Sequence, residues 1–201
     1  MNSRSLFSNR AHLALNKTLR WFRHRELRNA GARLGTGIQT YGQFFEGDPT
    51  ALCIGNDTRV MPGVALLASG QAKSLSIGSR VYINRHTIID SRLSLKIGTG
   101  TIIGPSSYIS DFDHSLDLNS DGWRIDEGVT APVSIGRNVW VAANVVILKG
   151  VNIGDNSVIG AGAVVVKDIP ANSIAVGVPA RVIKTLNEAD YSSKRTEDNM
   201  T

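Results

Sequence analysis

The chain has 201 residues, a formal net charge of +5 and a single cysteine, Cys53. Its length allows one domain with a buried core, and no stretch reaches the ~20 apolar residues that a membrane span needs. One cysteine excludes an intrachain disulfide framework and a multi-cysteine zinc site. The N-terminus lacks the apolar segment of a secretory signal, which predicts a cytoplasmic protein.

A basic arm, residues 1–33, opens the chain with eight Lys or Arg and one acid, Glu26, so the remainder has a net charge of −2. This uneven distribution disfavours a nucleic-acid footprint over the whole protein. Apolar side chains at helical spacing predict a short basic amphipathic helix. Residues 11–28 then either make a peripheral contact with an anionic membrane surface or cap the open end of the first coil of the next domain. The apolar stripe is Ala11, Leu15, Leu19 and Phe22.

Branched apolar residues return at every sixth position along most of the chain, a period that fits neither a helix nor an alternating strand. It predicts a coil of short parallel strands and tight turns, with the apolar side chains inward and eighteen residues per triangular coil. Asn138, Asn144 and Asn156 suit the unusual backbone angles of such turns. The repeating positions are Ile54, Val60, Leu66, Ile77, Ile83, Ile89, Ile97, Ile103, Ile109, Ile135, Val141, Ile147, Ile153, Ile159 and Val165.

Residues 110–132 interrupt the repeat and predict an excursion loop, a kind of segment that often carries function. His114 lies near its start, where it is either a solvated loop residue or a general base. A free imidazole, with a pKa of ~6.5, accepts a proton near neutral pH. Asp111 and Asp113 either orient that ring or are solvated loop acids.

Two segments carry a family resemblance: "IGRNVWVAANVVILKGVNIGDNSVIGAGAVVVKDIPANSIAVGVPARVI" and "SDFDH". They resemble the hexapeptide-repeat acyltransferases, and are most similar to galactoside, maltose and polysaccharide O-acetyltransferases. The resemblance implies an all-β domain over residues 34–183, a left-handed parallel β-helix, followed by a polar tail over 184–201. The left hand comes from the resemblance alone, because ordinary parallel crossovers are right-handed in ~98% of cases.

The resemblance also implies a function: a homotrimer that transfers acetyl from acetyl-CoA to a hydroxyl of a sugar, nucleotide sugar or glycan, without a metal. His114 is then the catalytic base, and Asn84 and Asp90 bind the acceptor, although Asn84 also suits a turn. Trp140 would lie beside the coenzyme site, and the N–H of Ala143 would contact the thioester. The implied coenzyme A site is completed by Gly160 and Ala161 along the pantetheine arm and by Lys167, Arg181 and Lys184 at the phosphates.

Three alternatives remain open to the sequence. The acceptor group is an amine in an amino-sugar N-acetyltransferase, or the protein is a β-helical scaffold without catalysis. A three-histidine zinc site, as in γ-class carbonic anhydrases, is hard to assemble because His12 and His24 lie in the basic arm. The acceptor's identity and the acyl group do not follow from the residues.

Overall fold

A helix followed by stacked short strands makes up the part of the chain that the structure, a computed structural model, describes. The described residues are 17–69, 72–114, 118–119, 122–123, 128–187 and 190. The helix, α1, covers residues 17–29. No helix within these ranges is long and apolar enough to cross a bilayer.

The strands follow one another in sets of three, one set for each coil. The first four coils contain β1 (Arg33–Leu34), β2 (Gln39–Thr40), β3 (Phe45–Gly47), β4 (Leu52–Ile54), β5 (Arg59–Val60), β6 (Ala65–Ala68), β7 (Ser74–Ile77), β8 (Tyr82–Ile83), β9 (Ile88–Ser91), β10 (Ser94–Ile97), β11 (Ile102–Ile103) and β12 (Tyr108–Ser110). The excursion contains β13 (Phe112–Asp113), β14 (Leu118–Asn119), β15 (Gly122–Trp123) and β16 (Val129–Thr130). The last coils contain β17 (Val133–Ile135), β18 (Trp140–Val141), β19 (Val146–Ile147), β20 (Asn152–Ile153), β21 (Val158–Ile159), β22 (Val164–Val165), β23 (Ser173–Val176) and β24 (Arg181–Thr185).

Three sheets form the three sides of a prism. Sheet A has the order β1-β4-β7-β10-β17-β20, sheet B the order β2-β5-β8-β11-β18-β21-β23-β24, and sheet C the order β22-β19-β12-β9-β6-β3. Every neighbouring pair in these sheets is parallel except β23 and β24, where the chain turns back. The predicted all-β, left-handed parallel β-helix of hexapeptide coils is confirmed.

The core is the stack of predicted inward residues, and each of them is at most 3% exposed. Ile77, Ile97 and Ile135 pair directly above one another in sheet A, so identical side chains pack in a continuous row. Burying each such side chain contributes about 1.5–3 kcal/mol relative to leaving it exposed. The hexapeptide row is thus the main source of the fold's stability.

Coil length is less regular than predicted. Ile135 pairs with Ile153, eighteen residues on, as expected. Before the excursion the coils are longer, since Leu34 pairs with Ile54 and Ile54 with Ile77. The extra residues lie at corners, for example in the 3-10 turn Pro49–Ala51, so the inward rows stay in register.

The tight corners require left-handed backbone angles. Asn138, Asn144 and Asn156 have φ values of 54°, 57° and 60°, as predicted for turn residues. His86 has a φ of 59°, which places it in a turn between β8 and β9. An amide side chain tolerates this region better than most, which explains asparagine at the corners.

The helix α1 packs on the first coil, as the capping interpretation predicts. His24 is 7% exposed and its Nε2 lies 3.0 Å from the Oγ1 of Thr40. Leu27 packs against the core. The predicted apolar stripe is not the face that packs on the coil, because its Leu19 and Phe22 are 40% and 50% exposed. The other two stripe residues lie outside the described residues.

Candidate active site

The corners of successive coils stack into edges that run along the prism. We call the row of turns from sheet B to sheet C the B–C edge, and the row from sheet C to sheet A the C–A edge. Sheet C lies between them and is therefore bounded by both. The predicted site residues divide between these two edges.

His114 stands at the C–A edge, where the chain leaves sheet C after β12 and enters the excursion. β13 pairs with the returning strand β16, and His114 directly follows β13. Its exposed ring meets the ring of Phe112 edge to face, with 5.4 Å between centroids. The guanidinium carbon of Arg92 lies 3.4 Å from the centroid of the same Phe112 ring. Buried Phe112 thus contacts both the imidazole of His114 and the guanidinium of Arg92.

The two acids before His114 have separate structural roles. Asp111 is fully buried, so it is not a solvated loop acid. Its carboxylate accepts hydrogen bonds from the Ser91 hydroxyl at 3.0 Å and from three consecutive backbone N–H groups, those of residues 92–94, at 2.7–3.0 Å. It anchors the start of the excursion to the turn after β9. Asp113 forms an ion pair with Lys149 at the next corner.

Asp90 is a second buried carboxylate near this edge, at 8% exposure on the outer face of sheet C. Burial raises the pKa of Asp90 above its ordinary value; Asp111 raises it further, while Arg92, a hydrogen bond from Ser69 and His114 lower it. Within the described part of the chain, its Oδ1 has no hydrogen-bond partner. A buried oxygen with a free lone pair is suited to accept a hydrogen bond from a ligand's hydroxyl or amine.

Sequence reasoning missed two basic residues here, Arg92 and Lys149. The Nε of Arg92 is buried and has no hydrogen-bond partner among the residues described, so a second polar atom beside Asp90 is unsatisfied. A usable signal existed for Lys149. The register pairs Ile109 with Ile147, so aligning the repeat rows brings Lys149 to the corner where the excursion begins.

The B–C edge carries four of the other predicted residues in successive turns. The N–H of Gly162 donates to the carbonyl of Ala143 at 2.9 Å, so Gly160 and Ala161 lie one coil beyond Ala143. Among the described residues, the N–H of Ala143 has no hydrogen-bond acceptor. Asn84 lies at the same edge, and its Oδ1 accepts from the N–H of Arg85 at 2.8 Å, which supports its turn role.

Trp140 lies in β18 just before this edge and is 54% exposed, with its side chain on the outer face of sheet B. The predicted phosphate residues are more scattered. Arg181 opens β24, and Lys184 in the same strand forms an ion pair with Asp190. Lys167 follows β22 at the C–A edge and is exposed.

Other sequence candidates lie away from both groups. Cys53 is half-buried on the outer row of sheet A, not inward as a small core residue would be. No group of three His, Cys, Asp or Glu side chains in the described ranges is placed to hold a metal ion.

Comparison with known proteins identifies the family. The family model "Bacterial transferase hexapeptide (six repeats)" matches residues 132–167. A putative lipopolysaccharide biosynthesis O-acetyl transferase of Escherichia coli K12 is 35% identical over 132 residues, covering 62% of this chain and 67% of the relative. The chain belongs to the hexapeptide-repeat acetyltransferases.

Two further relatives show how far this family likeness extends. The galactoside O-acetyltransferase of E. coli K12 is 42% identical over 119 residues, covering 58% of this chain and 57% of the relative. A hexapeptide-repeat acetyltransferase from Vibrio cholerae, solved with acetyl coenzyme A, is 25% identical with a TM-score of 0.54. That match covers 90% of this chain and 85% of the neighbour. The chain thus spans little more than half the length of the galactoside relative.

Proposed function

We propose that this protein transfers an acetyl group from acetyl-CoA to a hydroxyl of a sugar, nucleotide sugar or glycan, as in polysaccharide biosynthesis. The observation that carries the proposal is that exposed His114 lies near enough to buried Asp90 to lower the pKa of that carboxyl, whose Oδ1 lacks a hydrogen-bond partner within the described residues. Family membership supplies the reaction class, and this pair supplies a base beside an acceptor-binding group.

The proposed chemistry takes place in a ternary complex. The acceptor oxygen attacks the thioester carbonyl carbon, and the imidazole of His114 takes the hydroxyl proton. The N–H of Ala143, which has no acceptor among the described residues, donates to the developing oxyanion. The C–S bond then breaks, and the coenzyme A thiolate receives the proton from His114. Asp90 holds an acceptor hydroxyl as a hydrogen-bond acceptor, and Asn84 remains a second candidate for that contact.

The B–C edge is the proposed coenzyme A site. Small side chains at Gly160 and Ala161 leave room for an extended pantetheine arm, and exposed Trp140 would cover it. Arg181 is the leading phosphate ligand because, among the described residues, its guanidinium has a single hydrogen bond, donated to the carbonyl of Ala180 at 2.9 Å. Lys167 and Lys184 stay weaker candidates, the first at another edge and the second already paired.

The separation of the two edges supports a homotrimer. Between Ala143 and Lys149 the chain runs the width of sheet C, about 15–20 Å at ~3.3 Å per residue. His114 therefore meets a thioester at the B–C edge only if a neighbouring subunit brings that edge to it. A closed threefold ring of identical contacts does this for three sites at once.

The outer faces of the prism support the same assembly. Sheet A presents a polar outer row that includes Ser76, Lys96 and Ser134. Sheets B and C present apolar outer rows: Tyr82, Ile102, Trp140 and Val158 in sheet B, and Ile88, Tyr108, Val146 and Val164 in sheet C. Apolar rows on two adjacent faces suit a ring in which sheet B of one subunit meets sheet C of the next.

The N-acetyl alternative uses the same edges, because Asp90 accepts a hydrogen bond from an amine as well as from a hydroxyl. A scaffold without catalysis gives no reason for a buried carboxylate oxygen that lacks a hydrogen-bond partner among the described residues. We propose a cytoplasmic site of action, where the proposed donor is available.

The test measures free thiol released from acetyl-CoA by the purified protein with panels of neutral sugars, nucleotide sugars and amino sugars. We expect turnover with a hydroxyl acceptor, and NMR of the product places the acetyl group on oxygen. Turnover confined to amines would establish the N-acetyl alternative, and none with any acceptor would favour the scaffold. Light scattering is expected to give three times the 21.6 kDa chain mass.

A further inference from the structure

The outward face of α1 combines exposed apolar side chains with positive charge. Trp21 and Phe22 are 55% and 50% exposed, and their rings meet edge to face at 5.0 Å. Leu19 extends this apolar surface at 40% exposure. The helix packs on the first coil through His24 and Leu27, whereas the three apolar side chains remain largely exposed. The guanidinium carbon of Arg25 lies 5.3 Å from the centroid of the Trp21 ring.

The charge around this face is strongly positive. Residues 17–29 contain five Lys or Arg and one acid, Glu26, for a net charge of +4. The pKa of His24 is lowered to about 4, first by burial and then by Arg28, Arg20 and Arg23. The imidazole of His24, within the helix itself, thus has three cationic neighbours.

A cleft of about 760 Å³ lies between α1 and the first coil, directly beside the exposed aromatics. Lys17, Arg20 and Arg23 line it together with Trp21 and Tyr41. Three cations at the mouth of one cleft match the charge of a phosphate headgroup, while an indole ring prefers the boundary between water and lipid.

We propose that α1 docks this protein on an anionic lipid bilayer. Trp21, Phe22 and Leu19 enter the headgroup region, and the cations lining the cleft pair with lipid phosphates. Free phosphate would satisfy the cations alone, but it gives no reason for the exposed aromatic pair. In the proposed trimer all three helices lie at one end of the threefold axis, so they contact one membrane together.

Docking does not depend on acetyl transfer, and it is tested without it. The wild-type protein is sedimented with vesicles of phosphatidylcholine and with vesicles that also contain phosphatidylglycerol. We expect binding to the anionic vesicles only, weakening as salt is raised. The absence of binding to anionic vesicles at low ionic strength would overturn the proposal, whatever the enzyme's activity.

Two double variants separate charge from insertion. Lys17→Gln/Arg20→Gln removes two of the cations that line the cleft and is expected to weaken partitioning about 25-fold, at roughly fivefold per cation. The matched control is Lys73→Gln/Lys96→Gln, two exposed lysines away from the helix, which should bind as wild type. An equal loss in the control would mean that only overall charge matters and would refute the proposal.

Trp21→Ser/Phe22→Ser tests insertion and should reduce partitioning at least tenfold, because both rings enter the lipid boundary. The two side chains are exposed, so circular dichroism and acetyl transfer to a soluble acceptor should be unchanged. Wild-type vesicle binding by this variant would contradict docking. A changed oligomeric mass of the variant would also contradict docking, because it would make the patch a contact between subunits. Tighter binding of the wild type to a DNA duplex than to vesicles would contradict it as well.

Discussion

The two edges that bound sheet C differ in what they offer a ligand. The B–C edge presents small side chains and backbone groups, such as Gly160 and the N–H of Ala143. The C–A edge presents charged and titratable side chains beside the excursion, with the ring of His114 against that of Phe112 and with Asp90 buried in sheet C. One edge is suited to an extended, flexible donor, and the other to proton transfer from a polar acceptor. Mutations at one edge should therefore spare the function of the other.

The largest effect is expected at the C–A edge. His114→Ala should lower kcat by ~10²–10⁴, the usual share of general acid–base catalysis. Since the ring is exposed and Phe112 is the ring it meets among the described residues, assembly and coenzyme A affinity should stay within twofold of wild type. Calorimetry with coenzyme A is the control. Wild-type kcat with a verified acceptor would show that His114 is not the base.

At the B–C edge, Arg181→Ala should weaken coenzyme A binding while leaving acceptor binding intact. Loss of one charge-assisted hydrogen bond costs about 1.5–3 kcal/mol, or about 10- to 150-fold in Kd. Lys184→Ala is the matched comparison and should have a smaller effect, because Lys184 already pairs with Asp190. Equal affinities for wild type and Arg181→Ala in calorimetry would remove Arg181 from the site.

Asp90→Asn should separate function from stability. We expect about a tenfold rise in the KM for the acceptor, with coenzyme A affinity unchanged, because one hydrogen bond from the acceptor loses its charged partner. Since burial raises the folded-state pKa of Asp90, ionisation opposes folding at neutral pH. The variant should therefore have the higher Tm at pH 7.

That gain in Tm has a defined pH dependence. It should shrink as pH falls through the raised pKa, and vanish below the ordinary range of Asp, where the carboxyl is protonated in both folded and unfolded states. Thermal melts from pH 7 to pH 3 measure it. A variant less stable than wild type at pH 7, or a gain that persists at pH 3, would contradict this account of Asp90.

The smallest effect is expected on the outer face of sheet A, where we place no binding or catalytic residue. Cys53 lies on the polar outer row of sheet A, so Cys53→Ala should change kcat by less than about twofold and leave the oligomeric mass unaltered. Mass spectrometry during turnover should find no acetyl group on the thiol. A trapped acetyl-cysteine would replace the ternary mechanism with a covalent one.

Much of the fold was predictable because the repeat is a local pattern. An apolar residue at every sixth position points inward in each coil. A period read along the chain therefore becomes a row of side chains in the core, as for Ile77 and Ile97. The residue types at the corners were predictable for the same reason. The turn at Asn144 requires a backbone in the left-handed region, and this requirement does not depend on distant residues. The uneven coil lengths were not predicted, because corners absorb extra residues without disturbing the inward rows.

The sequence by itself determined the coil, its inward rows and the break at residue 110. Tertiary structure alone decided what surrounds the break. Asp111 is buried and accepts four hydrogen bonds, Lys149 pairs with Asp113, and the Oδ1 of Asp90 has no hydrogen-bond partner among the described residues. It also showed that the helical stripe predicted from Leu19 and Phe22 faces outward. Burial and pairing join residues that lie far apart along the chain, and a six-residue period carries no information about those distances.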